Sequence, residues 1–501
     1  MIKSNNLIKK LVIDTFIYKC VLIIMTFCYV LPVTTSYTTG VLKVALIWGL
    51  IIVVCNIIKK HQNTSFQNAI RIEYILIGLF VFFATLSSVV NFQDQFIRNA
   101  VDVAYLIITA CVPLVIDKSK NISEIFRELK AISCLVIIVS FLITLSTFVI
   151  YVTGYQGAIE ANGTEYILGF VEGRLYGIIG NPNSSALLAC FSVTYSVLIL
   201  YLLGKDIVFS VLVYINIVLQ VIVFSLTNSR SAMVCMGATI MVYIFVFLLK
   251  RFSFCKIVST GLSFIISISA FFMFYGATQL VRETMAWLPS TYNVLKYKLE
   301  NIDDTETNDI NEIESSNNNI ENNQQNQENI TSINEPHISA VDIDREYKTS
   351  DMSNGRFEIW RAGLAVARKN ILSGVGTENV QQRVLPFLST ELVSNSPGIA
   401  SNMHNIYLQV LVENGICALL CLVSFFIYLI IKVFKCFFRT QSSKAMSKVI
   451  CVLLCSIIGV LAENLFDSNL IGFNCLFVVP LFWIQCGYLL ALMNHINKET
   501  Q

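Results

Sequence analysis

A series of long apolar runs, each close to the length of a bilayer crossing, constrains this chain more than any other feature. A helix needs roughly 20 apolar residues to span the hydrocarbon core. The runs fall at 15–31, 39–58, 72–90, 101–116, 132–153, 185–203, 207–226, 231–249, 257–281, 405–431, 448–463 and 469–493. They are continuously apolar rather than alternating, so they read as helices and not as lipid-facing barrel strands. Helices also satisfy every backbone polar group internally, as lipid requires. Of 501 residues, 55% are hydrophobic and only 14% charged, which excludes an ordinary soluble domain. The expected fold is an all-α polytopic membrane protein of about twelve transmembrane helices.

Orientation follows from the basic residues. With the amino terminus placed inside, the inner loops collect Lys9, Lys10, Lys59, Lys60, Lys118, Lys120, Lys250, Arg251, Lys432, Lys435 and others. The short outer loops hold only Arg98, Arg174 and Arg230, with Lys43 near the start of the second run. This bias is what the positive-inside rule predicts for a cytoplasmic-membrane protein with both termini cytoplasmic. The net charge of +2 comes from basic residues dispersed among these loops. It points to anionic membrane lipids as partners and gives no sign of nucleic acid. The first run lacks a small-residue cleavage site and reads as a retained helix. None of the 15 cysteines lies in the long outer loop, so neither a disulfide framework nor a zinc site is expected.

Two outer segments exceed turn length, 154–184 and 282–403. The expected organisation is helices one to nine over 1–281, a large extracytoplasmic loop over 282–403, and helices ten to twelve over 404–501. Within the loop, about 300–345 is an Asn-, Glu-, Gln- and Ser-rich tract typified by Asn322-Asn323-Gln324-Gln325. It is too poor in apolar side chains to offset its ordering entropy and is expected to be disordered. After it, 355–370 reads as an amphipathic helix on the membrane surface. Phe357, Trp360, Leu364 and Val366 with the intervening alanines form its apolar side, and Arg356, Arg361, Arg368 and Lys369 its polar side. Gly374 and Gly376 then break the chain.

Several residues at helix ends could carry chemistry. Arg174 precedes Asn181-Pro182-Asn183-Ser184 at the entrance of the sixth run. Arg230 lies in Thr227-Asn228-Ser229-Arg230-Ser231, between the seventh and eighth. Guanidinium groups at these ends could grip a lipid-linked diphosphate bidentately; the plainer alternative is arginines bonded to headgroups or loop carbonyls. His404 is the histidine at an outer helix entrance, and an imidazole, largely neutral at pH 7, can accept a hydroxyl proton. Asn405, Gln409 and Glu413 follow it at i, i+4 and i+8, one polar stripe that could support the site or simply join two helices. Asp342 and Asp344 have a spacing that can hold a divalent cation, although chance explains it well in so acidic a tract. Glu463 and Asp467 flank the last outer turn and could balance the arginines.

Taken together, Arg174-x-x-Gly177, Asn181-Pro182-Asn183, Thr227-Asn228-Ser229-Arg230, Arg356-x-x-x-Trp360, Gly374-x-Gly376, His404-Asn405-x-Tyr407-Leu408 and Glu413-x-Gly415 resemble the O-antigen ligase and polymerase family over about 170–470. The resemblance implies a GT-C-like plan with a large outer loop between helices nine and ten. It also implies a glycosyltransferase, without metal or other cofactor, using an undecaprenyl-diphosphate-linked glycan as donor and a glycan or lipid acceptor. By position, Arg174 and Arg230 would bind the diphosphate, Arg356 or Arg361 would add charge nearby, and His404 would assist the acceptor hydroxyl. A flippase and a chain-length regulator would be natural partners in making a surface or capsular polysaccharide. Polymerase and ligase share these motifs. The rival from another class is a flippase for lipid-linked sugars, which would need polar groups reachable from both leaflets.

Replacing 305–335 with a short Gly/Ser linker should leave glycan formation intact, because the segment has no apolar surface to pack. Product length on gels checks this; loss of product from a well-expressed variant would refute it.

Overall fold

A computed structural model describes residues 14–62, 71–91, 95–116, 120–202, 206–251, 256–299, 339–344, 355–395, 402–439, 444–471 and 477–499. The helices are α1 (Thr15–Val30), α2 (Pro32–Gln62), α3 (Ile72–Val90), α4 (Phe96–Leu106), α5 (Ile122–Val152), α6 (Pro182–Leu202), α7 (Ile207–Thr227), α8 (Arg230–Arg251) and α9 (Lys256–Met285). They continue with α10 (Arg356–Lys369), α11 (Ile406–Arg439), α12 (Lys444–Glu463) and α13 (Val478–Glu499). Among the described residues, 11 helices are long and apolar enough to cross a membrane, and α1 is a shorter apolar helix of 16 residues. Each apolar run of the sequence therefore becomes a helix, and the chain is an all-α polytopic membrane protein. The short run at 101–116 reaches spanning length because α4 begins at Phe96 and continues through a π turn, Ile107–Cys111, to Leu114.

Burial sorts the helices into an inner and an outer set. The apolar stretch of α13 is 83% buried and those of α6 and α12 are 72% buried, against 22% for α2. The inner helices pack tightly, as Phe425, Phe426, Phe482 and Trp483 do where α11 meets α13. Polar side chains inside the bundle are paired with one another. Ser140 Oγ donates to Ser192 Oγ at 2.7 Å, Asn216 Nδ2 reaches Ser192 and Ser196, Gln220 Nε2 donates to Asn216 Oδ1, and Thr144 Oγ1 donates to Gln220 Oε1. This network joins α5, α6 and α7 where no water would satisfy these groups. At the opposite end from the loops described below, Lys432 Nζ lies 2.9 Å from Glu73 Oε1.

The segment after α5 holds a three-stranded antiparallel sheet that a search for apolar runs overlooks: β1 (Gly157–Ala161), β2 (Thr164–Val171) and β3 (Arg174–Gly177), in that order. Asn162-Gly163 and Glu172-Gly173 turn the strands, all four with positive φ, as two-residue hairpin turns demand. Val171 pairs with Arg174, so Arg174 is the first residue after a tight turn.

The expectation for 282–403 needs three corrections. After Met285 a turn at 286–287 leads into more helix up to residue 299, so the ninth crossing projects well past its apolar run. Most of the Asn-rich tract lies outside the described residues, but its far end does not behave as expected. Val341 and Ile343 pack against Tyr151, Phe170 and Leu175, and Val341 N donates to Ala286 O at 2.9 Å. Third, α10 turns only part of its expected apolar side inward. Ile359, Ala362, Val366 and Ala367 are buried with Val375, Met403, Leu408 and Val412, whereas Phe357 and Leu364 are exposed. The helix therefore rests on protein, over the start of α11, because its smallest side chains allow the closest approach.

The glycines 374 and 376 belong to the same construction. Helix α11 is broken at Gly415, whose φ of 81° and ψ of 178° leave the helical region. The freed groups are taken up by the segment after α10: Val375 N donates to Val412 O, Gly376 N to Glu413 O, and Ile416 N to Ile371 O, at 2.8–2.9 Å. A Cβ on Gly415 would strike the Leu372 carbonyl oxygen, and one on Gly374 the Glu413 carbonyl oxygen. Gly415→Ala should therefore destabilise the protein by about 1–3 kcal/mol, the cost of a strained left-handed position plus a displaced loop. Thermal unfolding in detergent would show it as a lower Tm; an unchanged Tm would mean that the break tolerates a side chain.

Candidate functional site

Successive helix ends bring three polar segments to one end of the bundle: β3 with the α7–α8 turn, the corner before α11, and the loop after α12. The first is organised around Arg174. Its Nε donates to Thr227 O at 3.2 Å and its Nη2 to Asn183 Oδ1 at 2.8 Å. Ser229 Oγ donates to the same Asn183 Oδ1 at 2.9 Å. Asn228, left-handed at φ 50°, ends α7, and Ser229 caps α8, so Arg230 occupies the first position of α8 and is exposed. The motifs around Asn183 and Ser229 thus hold one arginine and present another from the adjoining turn.

In the second segment, Asn405 caps α11, its Oδ1 accepting from Tyr407 N and Leu408 N at 3.0 Å each. Its Nδ2 donates to Leu465 O, while Ile406 N donates to Asn464 O at 2.9 Å. Ser468 Oγ donates to Asn402 Oδ1, which also accepts from His404 N at 2.7 Å. These bonds zip the corner before α11 to the loop after α12. His404 sits in the zip with φ 47°, a conformation histidine adopts more readily than most residues. Trp360 of α10 closes the corner by donating Nε1–H to Met403 O at 2.8 Å.

The zip brings Asp467 to His404. Nδ1 of His404 lies 3.5 Å from Asp467 Oδ1, an ion-pair distance at the long limit of hydrogen bonding. Burial alone would raise the Asp467 carboxyl. The facing His404, the Ser468 N–H donating at 2.9 Å and the nearby Arg356 outweigh burial and hold it below its ordinary value. Arg356 comes from the first turn of α10. Burial lowers its pKa, Asp467 and Glu463 favour its charge, and Arg230 is close enough to oppose it. A guanidinium remains protonated under any of these influences. Glu463 is buried and accepts from Asn464 Nδ2 and Asn469 Nδ2 at 2.8 and 2.9 Å.

The structure therefore gathers Arg230, Arg356, His404, Glu463 and Asp467, and ties Arg174 to the Arg230 turn. Arg361 is exposed one turn beyond Arg356 and does not join them. Gln409 and Glu413 are buried below the corner: Gln409 accepts from Met403 N at 2.7 Å and donates to Glu413 Oε1 at 2.6 Å. Asn405 is a helix cap and a tether between the two loops. Asp342 and Asp344 lie in the segment that returns beside Gly173 and form a local turn, Asp344 N donating to Asp342 Oδ1 at 2.9 Å. No cluster of three or more metal-ligating side chains occurs among the described residues. Sequence reasoning left Asp467 as one of two carboxylates balancing the arginines and did not pair it with His404. The available signal was the polar run Asp467-Ser468-Asn469 close behind Glu463-Asn464, between two apolar runs.

Chemically, this is an imidazole with a carboxylate behind one nitrogen and guanidinium groups alongside. The carboxylate favours the tautomer with the proton on Nδ1, leaving Nε2 as the basic atom. The guanidinium groups favour an anion, and a diphosphate suits their planar, multi-donor geometry.

Residues 215–423 match the sequence profile of a protein family described as O-antigen ligase. The match runs from α7 into α11 and includes Arg230, Arg356 and His404, while Arg174, Glu463 and Asp467 lie outside it. Comparison with curated proteins finds no match.

Because Asp467 is depressed, its contribution to the folded state is fully present at neutral pH and lost only as pH falls below the ordinary value of 3.8. Asp467→Asn should remove that acid-dependent loss of stability, read as Tm against pH between about 6 and about 3. An identical profile in the variant would mean that Asp467 is not the group responsible.

Proposed function

From the match of residues 215–423 to the O-antigen ligase family we propose that this chain is a membrane glycosyltransferase that uses an undecaprenyl-diphosphate-linked glycan at the outer face of the cytoplasmic membrane. The observation that carries this reading is the pairing of a carboxylate-backed histidine with half-buried Arg174 and Arg356 and exposed Arg230 at one end of the bundle. Arg174 and Arg230 would hold the diphosphate from the α7–α8 turn, with Arg356 adding charge. His404 would take the proton of an acceptor hydroxyl through Nε2 as that oxygen bonds to the anomeric carbon. The bond from that carbon to the diphosphate breaks, and undecaprenyl diphosphate leaves carrying the electron pair. Guanidinium groups would stabilise the growing negative charge, as a metal does in other transferases. Asp467 would steady the imidazole and its developing charge.

The acceptor is either another glycan, making the protein a polymerase of surface polysaccharide, or a lipid or protein, making it a ligase. The flippase reading draws less support, since the candidate groups gather at one end and those inside the bundle bond to one another. The basic bias of the loops at the other end favours termini in the cytoplasm.

The test is purified protein in liposomes with lipid-linked donor and no transmembrane gradient. His404→Ala should lower turnover about a hundredfold or more, leaving donor binding little changed. Arg174→Lys and Arg230→Lys should each weaken donor binding, because lysine loses the bidentate fork, and the wild-type rate should survive EDTA. Near-normal product from the His404 variant would sink the assignment of the base.

A further inference from the structure

A cavity of about 220 Å³ lies beside the sheet, enclosed by the end of α5, β2, the helix at 288–299 and the returning segment 339–344. We propose that it is a sugar-binding subsite that takes one pyranose ring of the lipid-linked glycan, a proposal that rests on the donor reading above. The volume holds about seven waters at 30 Å³ each, the scale of a single sugar ring. Its lining carries no ionised side chain. That suits a neutral ligand rather than the diphosphate.

The chemistry of the walls divides as a sugar requires. Tyr155, which is exposed, offers aromatic surface for the C–H face of a pyranose over the buried Tyr151 and Phe170, while Gln156, Ser290 and Asn293 offer amide and hydroxyl groups for its hydroxyls. The walls are fixed: Tyr151 O–H donates to Met285 O at 2.9 Å, and Gln156 Nε2 donates to Phe170 O at 2.6 Å. Tyr155 and Asn293 are exposed, so a ligand has access. An acyl chain fits poorly. Helix α9 runs from Lys256 to Met285, about 44 Å against a hydrocarbon core of about 30 Å, and Asn293 lies beyond the turn that ends it.

Placement links the cavity to the arginines. Val341 forms part of its wall, and three residues on, the Asp344 carbonyl oxygen lies where a Cβ of Gly173 would be. Gly173 immediately precedes Arg174. Phe170, on another wall, is paired with Leu175 across the hairpin whose turn delivers Arg174. The cavity and Arg174 are thus joined through one strand pair and through the returning segment.

The test uses the full chain in nanodiscs with Asn293→Cys, labelled by a maleimide and corrected for the native cysteines. Two probes are compared: the lipid-linked glycan extracted from the source cells, and undecaprenyl diphosphate without sugar. The glycan-bearing lipid should slow labelling at least fivefold, and bare undecaprenyl diphosphate should not. Equal protection by both would overturn the subsite in favour of a lipid or diphosphate effect. No protection by either, with radiolabelled donor retained on the protein, would overturn the subsite alone; no donor retention at all would overturn the donor reading with it. As a second arm, Tyr155→Ala, at an exposed position that should not disturb folding, is expected to weaken glycan-lipid binding about tenfold and leave binding of bare undecaprenyl diphosphate unchanged. Equal weakening of both, or of neither, would count against the subsite.

Discussion

Backbone groups that leave a helix inside a membrane must find partners within the protein, and the architecture of this chain follows from that demand. Helix α11 breaks at Gly415, and the segment after α10 enters to take up the freed groups through Val375, Gly376 and Ile416. That repair ties α10 to α11 and sets Arg356 over the corner that holds His404. A second set of bonds, from Asn405 and Ile406 to the loop after α12, brings Asp467 up to the imidazole. The candidate site is thus assembled by the contacts that close the ends of helices.

Polar groups at the site and polar groups within the bundle are handled differently. Inside, Ser140, Ser192, Asn216 and Gln220 bond to one another. At the site end, ionisable groups meet instead: Arg356 feels the carboxylates of Asp467 and Glu463, which favour its charge, and the guanidinium of Arg230, which opposes it.

The accuracy of the sequence reading depended on the range of the interactions involved. Hydropathy located the apolar helices because lipid imposes its requirement residue by residue along one segment. The sheet at 157–177 was overlooked although Asn162-Gly163 is a strong hairpin signal, since a search tuned to 20-residue runs passes over strands of four to eight residues. The apolar side of α10 was drawn too wide: Val366 and the alanines are buried as expected, Ile359 joins them, and Phe357 and Leu364 are left outside the contact with α11.

By itself the sequence determined the polytopic helical class, the helix ends at which polar residues emerge, and the motifs around Arg174, Arg230 and His404. These depend on composition and short spacing, which are local properties. Only the tertiary structure decided that Asp467, 63 positions beyond His404, faces its imidazole, that Arg356 and not Arg361 joins the cluster, and that residues 339–344 return to the sheet beside Arg174. Each of these results from helices meeting across the bundle, and no local pattern in a single chain records which ends will meet.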